Sequence, residues 1–144
     1  MKKIFVIFLT IATLCTCLTG CTSKEEKANS QKLQCAANNC AEKALSITDE
    51  AVRINNIKAG ELITIYIDPA YDGRSVFDVV TTTTVVNGKC DERDNELLAK
   101  LFVDHYHAYA PEETDACIIE MYATYKGEKI VVVTQDTIDY RSNP

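Results

Sequence analysis

The spacing of apolar residues changes from a helical to a strand period and back along this chain, and that alternation limits the folds open to it. Leu33, Ala37, Cys40, Ala44, Ile47, Ala51 and Ile54 recur at steps of four and three, the mark of one face of an amphipathic helix. Small residues on that face would let it lie close against a sheet. Thr48-Asp49-Glu50 has the chemistry of a helix start, so one kinked helix or two short ones satisfy the pattern. Gly60 closes the segment.

Glu61 to Asp68 and Ser75 to Val86 are rich in β-branched and aromatic residues, with Pro69 to Arg74 between them carrying Asp72-Gly73. They read as an antiparallel hairpin with a longer loop. The run Thr81 to Thr84 marks an exposed or edge strand, and Asn87-Gly88 ends it. Asp91 to Ala108 is the second helix, with Asp91, Glu92 and Asp94 near its positive start and Leu98, Leu101, Phe102, His105 and Tyr109 along one side. Pro111 disfavours helix at Ala110 and stops it. Cys117, Ile119, Met121, Ala123 and Tyr125 then alternate with more polar neighbours, Lys126-Gly127 turns, and Lys129 to Ile138 returns as a partner strand. Arg141 to Pro144 is a free tail. The element order is αββαββ, which predicts an α+β domain over residues 33–144, with two helices packed on one face of a four-stranded, mainly antiparallel sheet.

The segment ahead of that domain has a different character. Lys2 and Lys3 precede an apolar stretch from Ile4 to Leu18, which runs into Leu18-Thr19-Gly20-Cys21. A basic start, an apolar middle and this ending resemble a bacterial lipoprotein signal. An ordinary secretory signal would end in an A-x-A-like pair, and none precedes Lys24. Cys15 follows the bulky Leu14, and Cys17 follows Cys15-Thr16, so both fit the cleavage rule less well than Cys21. An uncleaved spanning helix is the alternative, but Thr10, Thr13, Thr16, Thr19 and Gly20 dilute it.

The resemblance implies a signal peptide over residues 1–20, a diacylglycerol on the Cys21 sulfur with further acylation such as palmitate, and a lipidated tether over residues 21–32. Two or three acyl chains would hold a small domain on a membrane effectively permanently. Thr22 beside the anchor is unlike the inner-membrane retention signal of enteric bacteria, and Lys24-Glu25-Glu26 resembles the Lys-acidic-acidic export signal of Bacteroidetes lipoproteins. A solvated tether explains the same tripeptide. The implied location is the bacterial cell envelope, with the outer membrane or cell surface favoured.

Cleavage at that point removes Lys2 and Lys3 and moves the formal net charge from −6 to −8. An acidic surface without a basic stripe makes nucleic acid an unfavourable partner. Outside the signal and anchor stand Cys35, Cys40, Cys90 and Cys117, an even number that suggests two disulfides in an exported chain. Three pairings are open. Cys35 with Cys40 around an Asn38-Asn39 turn, and Cys90 with Cys117, is the pairing preferred here. Positions five apart on an intact helix lie about 140° apart, so the first bridge needs a local break. Free thiols are the other reading. The spacing does not match a zinc site, and no metal or other cofactor is indicated.

His105 and His107 are the only histidines, and residues two apart on a helix diverge by about 200°, which is poor metal-ligand geometry. Asp68 to Gly73 faintly resembles a calcium loop, but Ala70 and Val79 occupy positions where ligands belong. There is no nucleophile elbow, P-loop or dinucleotide fingerprint, and no catalytic residue is assigned. A Cys90 or Cys117 pair with His105 would be the nearest approach to one. Tyr66, Tyr71, Tyr106, Tyr109, Tyr122 and Tyr125 serve either as sheet packing or as a recognition face.

Three functional classes follow. The first is a lipid-anchored envelope protein with a non-enzymatic binding or assembly domain for a protein, peptide or glycan. The second is an inhibitor or immunity lipoprotein that neutralises a toxin or hydrolase. The third is a small hydrolase using His105 or His107.

Overall fold

A computed structural model describes residues 24–111 and 116–139. The signal segment, the Leu18–Cys21 motif, Cys21 itself and the tail Arg141–Pro144 lie outside the described residues. The chain divides into two units, Met1–Gln31 and Lys32–Pro144. No helix among the described residues is long and apolar enough to cross a membrane.

Helix α1, Lys24–Ile54, is continuous over 31 residues. It starts well before Leu33, inside the segment read from sequence as a tether. The opening run contains Lys, Glu, Ala and Gln, and has neither Gly nor Pro. These residues favour helix regardless of polarity.

Of the two arrangements open at Thr48, a single helix is formed, and the polar groups there find partners other than a cap. The Thr48 hydroxyl donates to the Ala44 carbonyl at 2.7 Å, and Asp49 Oδ1 accepts the Cys90 backbone N–H at 2.6 Å. The buried face is also wider than the four-three stripe. Leu33, Ala37, Cys40, Ala44 and Ala51 are buried as the sequence suggests, but so are Ala41, Leu45, Thr48 and Val52, while Ile54 is 62% exposed. A strict four-three repeat slips about 20° per heptad on a straight helix, which carries Ile54 past the edge of the buried arc.

The predicted four-stranded sheet is corrected to five strands in series, with a sixth, two-residue strand beside β1. β1 is Leu62–Tyr71, β2 Arg74–Ser75, β3 Val79–Val86, β4 Lys89–Cys90, β5 Ala116–Tyr125 and β6 Glu128–Asp139. The order is β4-β3-β1-β5-β6, antiparallel throughout, with β2 pairing β1. The two short strands were missed because two residues hold no periodic pattern.

Three hairpins turn through adjacent residues of positive φ: Asp72-Gly73 at 50° and 74°, Asn87-Gly88 at 52° and 80°, and Lys126-Gly127 at 51° and 82°. That is the primed turn whose twist suits neighbouring strands. At the first, β1 continues through Pro69 and Ala70, where the sequence predicts a loop. Ala70 pairs with Ser75 and Ile67 with Val79, so Val76 to Asp78 bulge opposite Asp68 and Pro69. Pro69 thus falls in the gap between the β2 and β3 ladders, where its missing N–H is tolerated. Both register shifts between β5 and β6 place the extra residue in β6, an edge strand.

Helix α2 spans Asp94–Tyr109. Asp91 stands ahead of it, its carboxylate accepting the Arg93 N–H at 3.0 Å and its own N–H donating to Thr83 Oγ1 at 3.1 Å. Ala110 turns extended before Pro111 while still donating to the Tyr106 carbonyl.

One apolar cluster holds the layers together. It joins Ala37, Ala41, Ala44 and Val52 of α1 and Leu98, Ala99 and Phe102 of α2 to Ile63, Ile65 and Ile67 of β1, Val79 and Val85 of β3, and Ile119, Met121 and Ala123 of β5. Every strand residue in that set has the same parity along its strand, so both helices cover one face of the sheet. The domain is α+β, and the alternate strand residues form a second face that neither helix covers.

Candidate functional site

His105 lies on the helix-covered side and is buried. Its Nε2 is 2.6 Å from the Phe77 carbonyl, an acceptor only, so Nε2 carries the proton. Nδ1, 3.0 Å from Tyr71 Oη, then accepts the Tyr71 hydroxyl proton. Burial pushes the Tyr71 phenol far above its ordinary value, which keeps it a donor. Tyr109 packs against the imidazole at 4.9 Å and against Phe77 at 5.5 Å, and Tyr106 meets Tyr71 edge-on at 5.9 Å.

His105 therefore ties α2 to the bulge at Phe77 and to the end of β1. Neither ring nitrogen is open to a substrate or a metal in this arrangement. His107 is exposed beside Tyr106. The nearby surface depression is lined by Tyr71, Asp72, Arg74, Val76, Tyr109 and Pro111, and includes no histidine or cysteine.

Among the described residues, no group of three His, Cys, Asp or Glu is placed to hold a metal ion. The Asp68–Gly73 segment continues β1 into a tight turn, and the Ser75 hydroxyl donates to Asp68. None of Cys35, Cys40, Cys90 and Cys117 is joined to another. α1 is unbroken across Cys35 and Cys40, so the condition for bridging that pair is not met. Cys90 is buried, and loss of solvent, followed by the Asp49 carboxylate, pushes its thiol well above the ordinary range. That disfavours the nucleophilic thiolate. The ring nitrogens of His105 are bonded to Tyr71 and Phe77, and the Cys90 thiol is engaged by Asp49.

The uncovered sheet face carries a different constellation. Val80, Tyr66, Tyr122 and Val132 are successive partners across β3, β1, β5 and β6 and make one row. Tyr66 and Tyr122 stack with centroids 4.5 Å apart and planes 5° from parallel. Lys129 Nζ sits 4.3 Å from the Tyr122 centroid. Stacking of this kind contributes about 0.5–1.5 kcal/mol, and an exposed cation–π contact about 0.5–1 kcal/mol. Val80 and Val132 at the row's ends are 44% and 45% exposed.

Beside this row lie Asp68 and Glu120, which are direct cross-strand partners. Asp78 Oδ2 accepts the Tyr122 hydroxyl at 2.7 Å. The Tyr122 phenol is driven well up, first by loss of solvent, then by Asp78, with Tyr66 and Asp68 adding to it. On the other side of the row, Thr82, Thr64 and Thr124 form a neutral strip.

These tyrosines therefore do not share one face. Tyr66 and Tyr122 belong to the open sheet, whereas Tyr71, Tyr106 and Tyr109 gather around His105. Period-two alternation puts Tyr66 and Tyr122 each on the polar side of its strand, but their juxtaposition depends on β1 pairing with the distant β5. Comparison of the chain with protein-family models, curated proteins and solved structures finds no match.

Proposed function

We propose that this chain is a lipid-anchored protein of the bacterial cell envelope whose α+β domain is a non-enzymatic binding module, with the open sheet face as its contact surface. The observation that carries the reading is the row Val80–Tyr66–Tyr122–Val132, two half-buried stacked aromatics between exposed valines on a face that neither described helix covers. Aromatic groups of this kind supply contact area at low entropic cost. The engagement of both His105 nitrogens supports binding over hydrolysis. Attachment through Cys21 would hold the domain at a membrane surface, and envelope proteins or peptides would be its partners.

The test is photocrosslinking of the full chain in envelope preparations. A benzophenone side chain replaces Thr82 on the open face or, as control, Lys43 on α1. A discrete adduct from position 82 alone is the expected result. The absence of any adduct from position 82, or equal adducts from both positions, overturns the reading. In parallel, Cys21→Ala should abolish the acyl mass increment and leave the chain as the uncleaved precursor; an unchanged acyl mass removes the anchor from the proposal.

A further inference from the structure

Asp68 and Glu120 are cross-strand partners on the open face, so two carboxylates stand directly opposite one another in the central strands. Like charges in that position destabilise a sheet. Among the described residues no lysine or arginine forms an ion pair with either of them or with Asp78. Asp68 takes a hydrogen bond from Ser75 and Asp78 takes one from Tyr122, both from neutral donors. Of the two lysines placed on this face, Lys129 lies over the Tyr122 ring and Lys89 stands in the short strand β4, opposite Val86.

We infer that the partner of this face is a basic protein segment, whose lysine or arginine side chains settle between Asp68, Asp78 and Glu120 while its apolar atoms lie along Val80, Tyr66, Tyr122 and Val132. Charge complementarity selects it. Three carboxylates border the row, and the chain has a formal net charge of −6. Lys129 shows that a cation is accommodated against these rings. A sugar ring would need an aromatic face turned to solvent. Here Tyr122 has Tyr66 stacked on it and Lys129 over its ring, which leaves at most the outer face of Tyr66 for a sugar. Four strands at about 4.8 Å spacing span roughly 15 Å, the length of about five extended residues.

This inference rests on the open face being the contact surface. Its test uses the full chain in non-ionic detergent and a dye-labelled, end-capped peptide alternating lysine and valine over seven residues, followed by fluorescence anisotropy. Binding at low ionic strength should weaken about 10-fold when Asp68→Asn and Glu120→Gln are combined. Glu42→Gln with Glu96→Gln, which removes the same charge from the helices, should leave it within about twofold. The face variant should also melt higher than the parent, since it relieves the opposed carboxylates.

Equal losses in the two variants would reduce the effect to bulk acidity and overturn the inference, as would no loss in the face variant or no binding by the parent chain. A position-82 adduct without peptide binding leaves the contact surface standing and removes its basic partner. No adduct removes the surface itself.

Discussion

Tyr71 and His105 are joined by a 3.0 Å hydrogen bond between the phenol and Nδ1, while the other imidazole nitrogen is held by the Phe77 carbonyl. The three residues come from β1, α2 and the bulge between β2 and β3, so the imidazole fastens three segments with no regular ladder among them.

Removing the phenol hydroxyl leaves a buried acceptor without its donor. Tyr71→Phe should lower stability by about 1–3 kcal/mol, read from the urea midpoint at unchanged slope. The coupling energy of a cycle with His105→Leu should match most of that loss, because the two side chains act as one unit. Additive effects would show that the bond contributes nothing of its own.

Asp49 supplies a second long-range tie. Its carboxylate accepts the Cys90 backbone N–H at 2.6 Å and so links α1 to the last residue of β4. Asp49→Ala strands that N–H and should cost about 1–3 kcal/mol. It should also expose Cys90, so the thiol should react faster with a maleimide in native conditions. Unchanged labelling would mean that β4 is held without Asp49.

Asp91 gives the domain an acid-sensitive contribution of known sign. Its side-chain bond to Arg93, helped by the Arg93 backbone N–H, holds the carboxyl at about 2, below the ordinary 3.8. A depressed folded-state value means that the unfolded chain binds the proton first as pH falls. The contribution is present above the ordinary value, declines as pH falls from there through about 2, and is absent below. Asp91→Asn should flatten the stability profile in that window. An unaltered slope would show that the exposed Arg93 contact is screened away.

Local chemistry was readable where it is decided locally. The dipeptides Asp72-Gly73, Asn87-Gly88 and Lys126-Gly127 announce their turns because adjacent positive φ values restrict the residues that fit. The α+β class followed from the changes of apolar period. What escaped was non-local or very short. The Tyr66–Tyr122 stack needs β1 to lie beside β5, a pairing chosen by packing across residues far apart in sequence. Pro69 signalled a loop, yet the bulge opposite it lets β1 run on to Tyr71. His105 was visible as one side of a helix, but nothing local indicated that Phe77 and Tyr71 would occupy its nitrogens.

The slip of the four-three repeat against the buried arc of α1 separates the sequence pattern from the packing it produces. The four-three repeat assigns Ile54 to the core and omits Leu45, whereas in the fold Leu45 is 8% exposed and Ile54 62%. Leu45→Ala removes buried methyl groups from the apolar cluster and should cost roughly 2–5 kcal/mol. Ile54→Ala should stay within about 0.5 kcal/mol, because that side chain is already in water. Equilibrium urea unfolding of the two variants decides between the repeat and the slip. A larger loss at Ile54 than at Leu45 would mean that α1 winds closer to a 3.5-residue repeat and keeps the heptad face inward to its end.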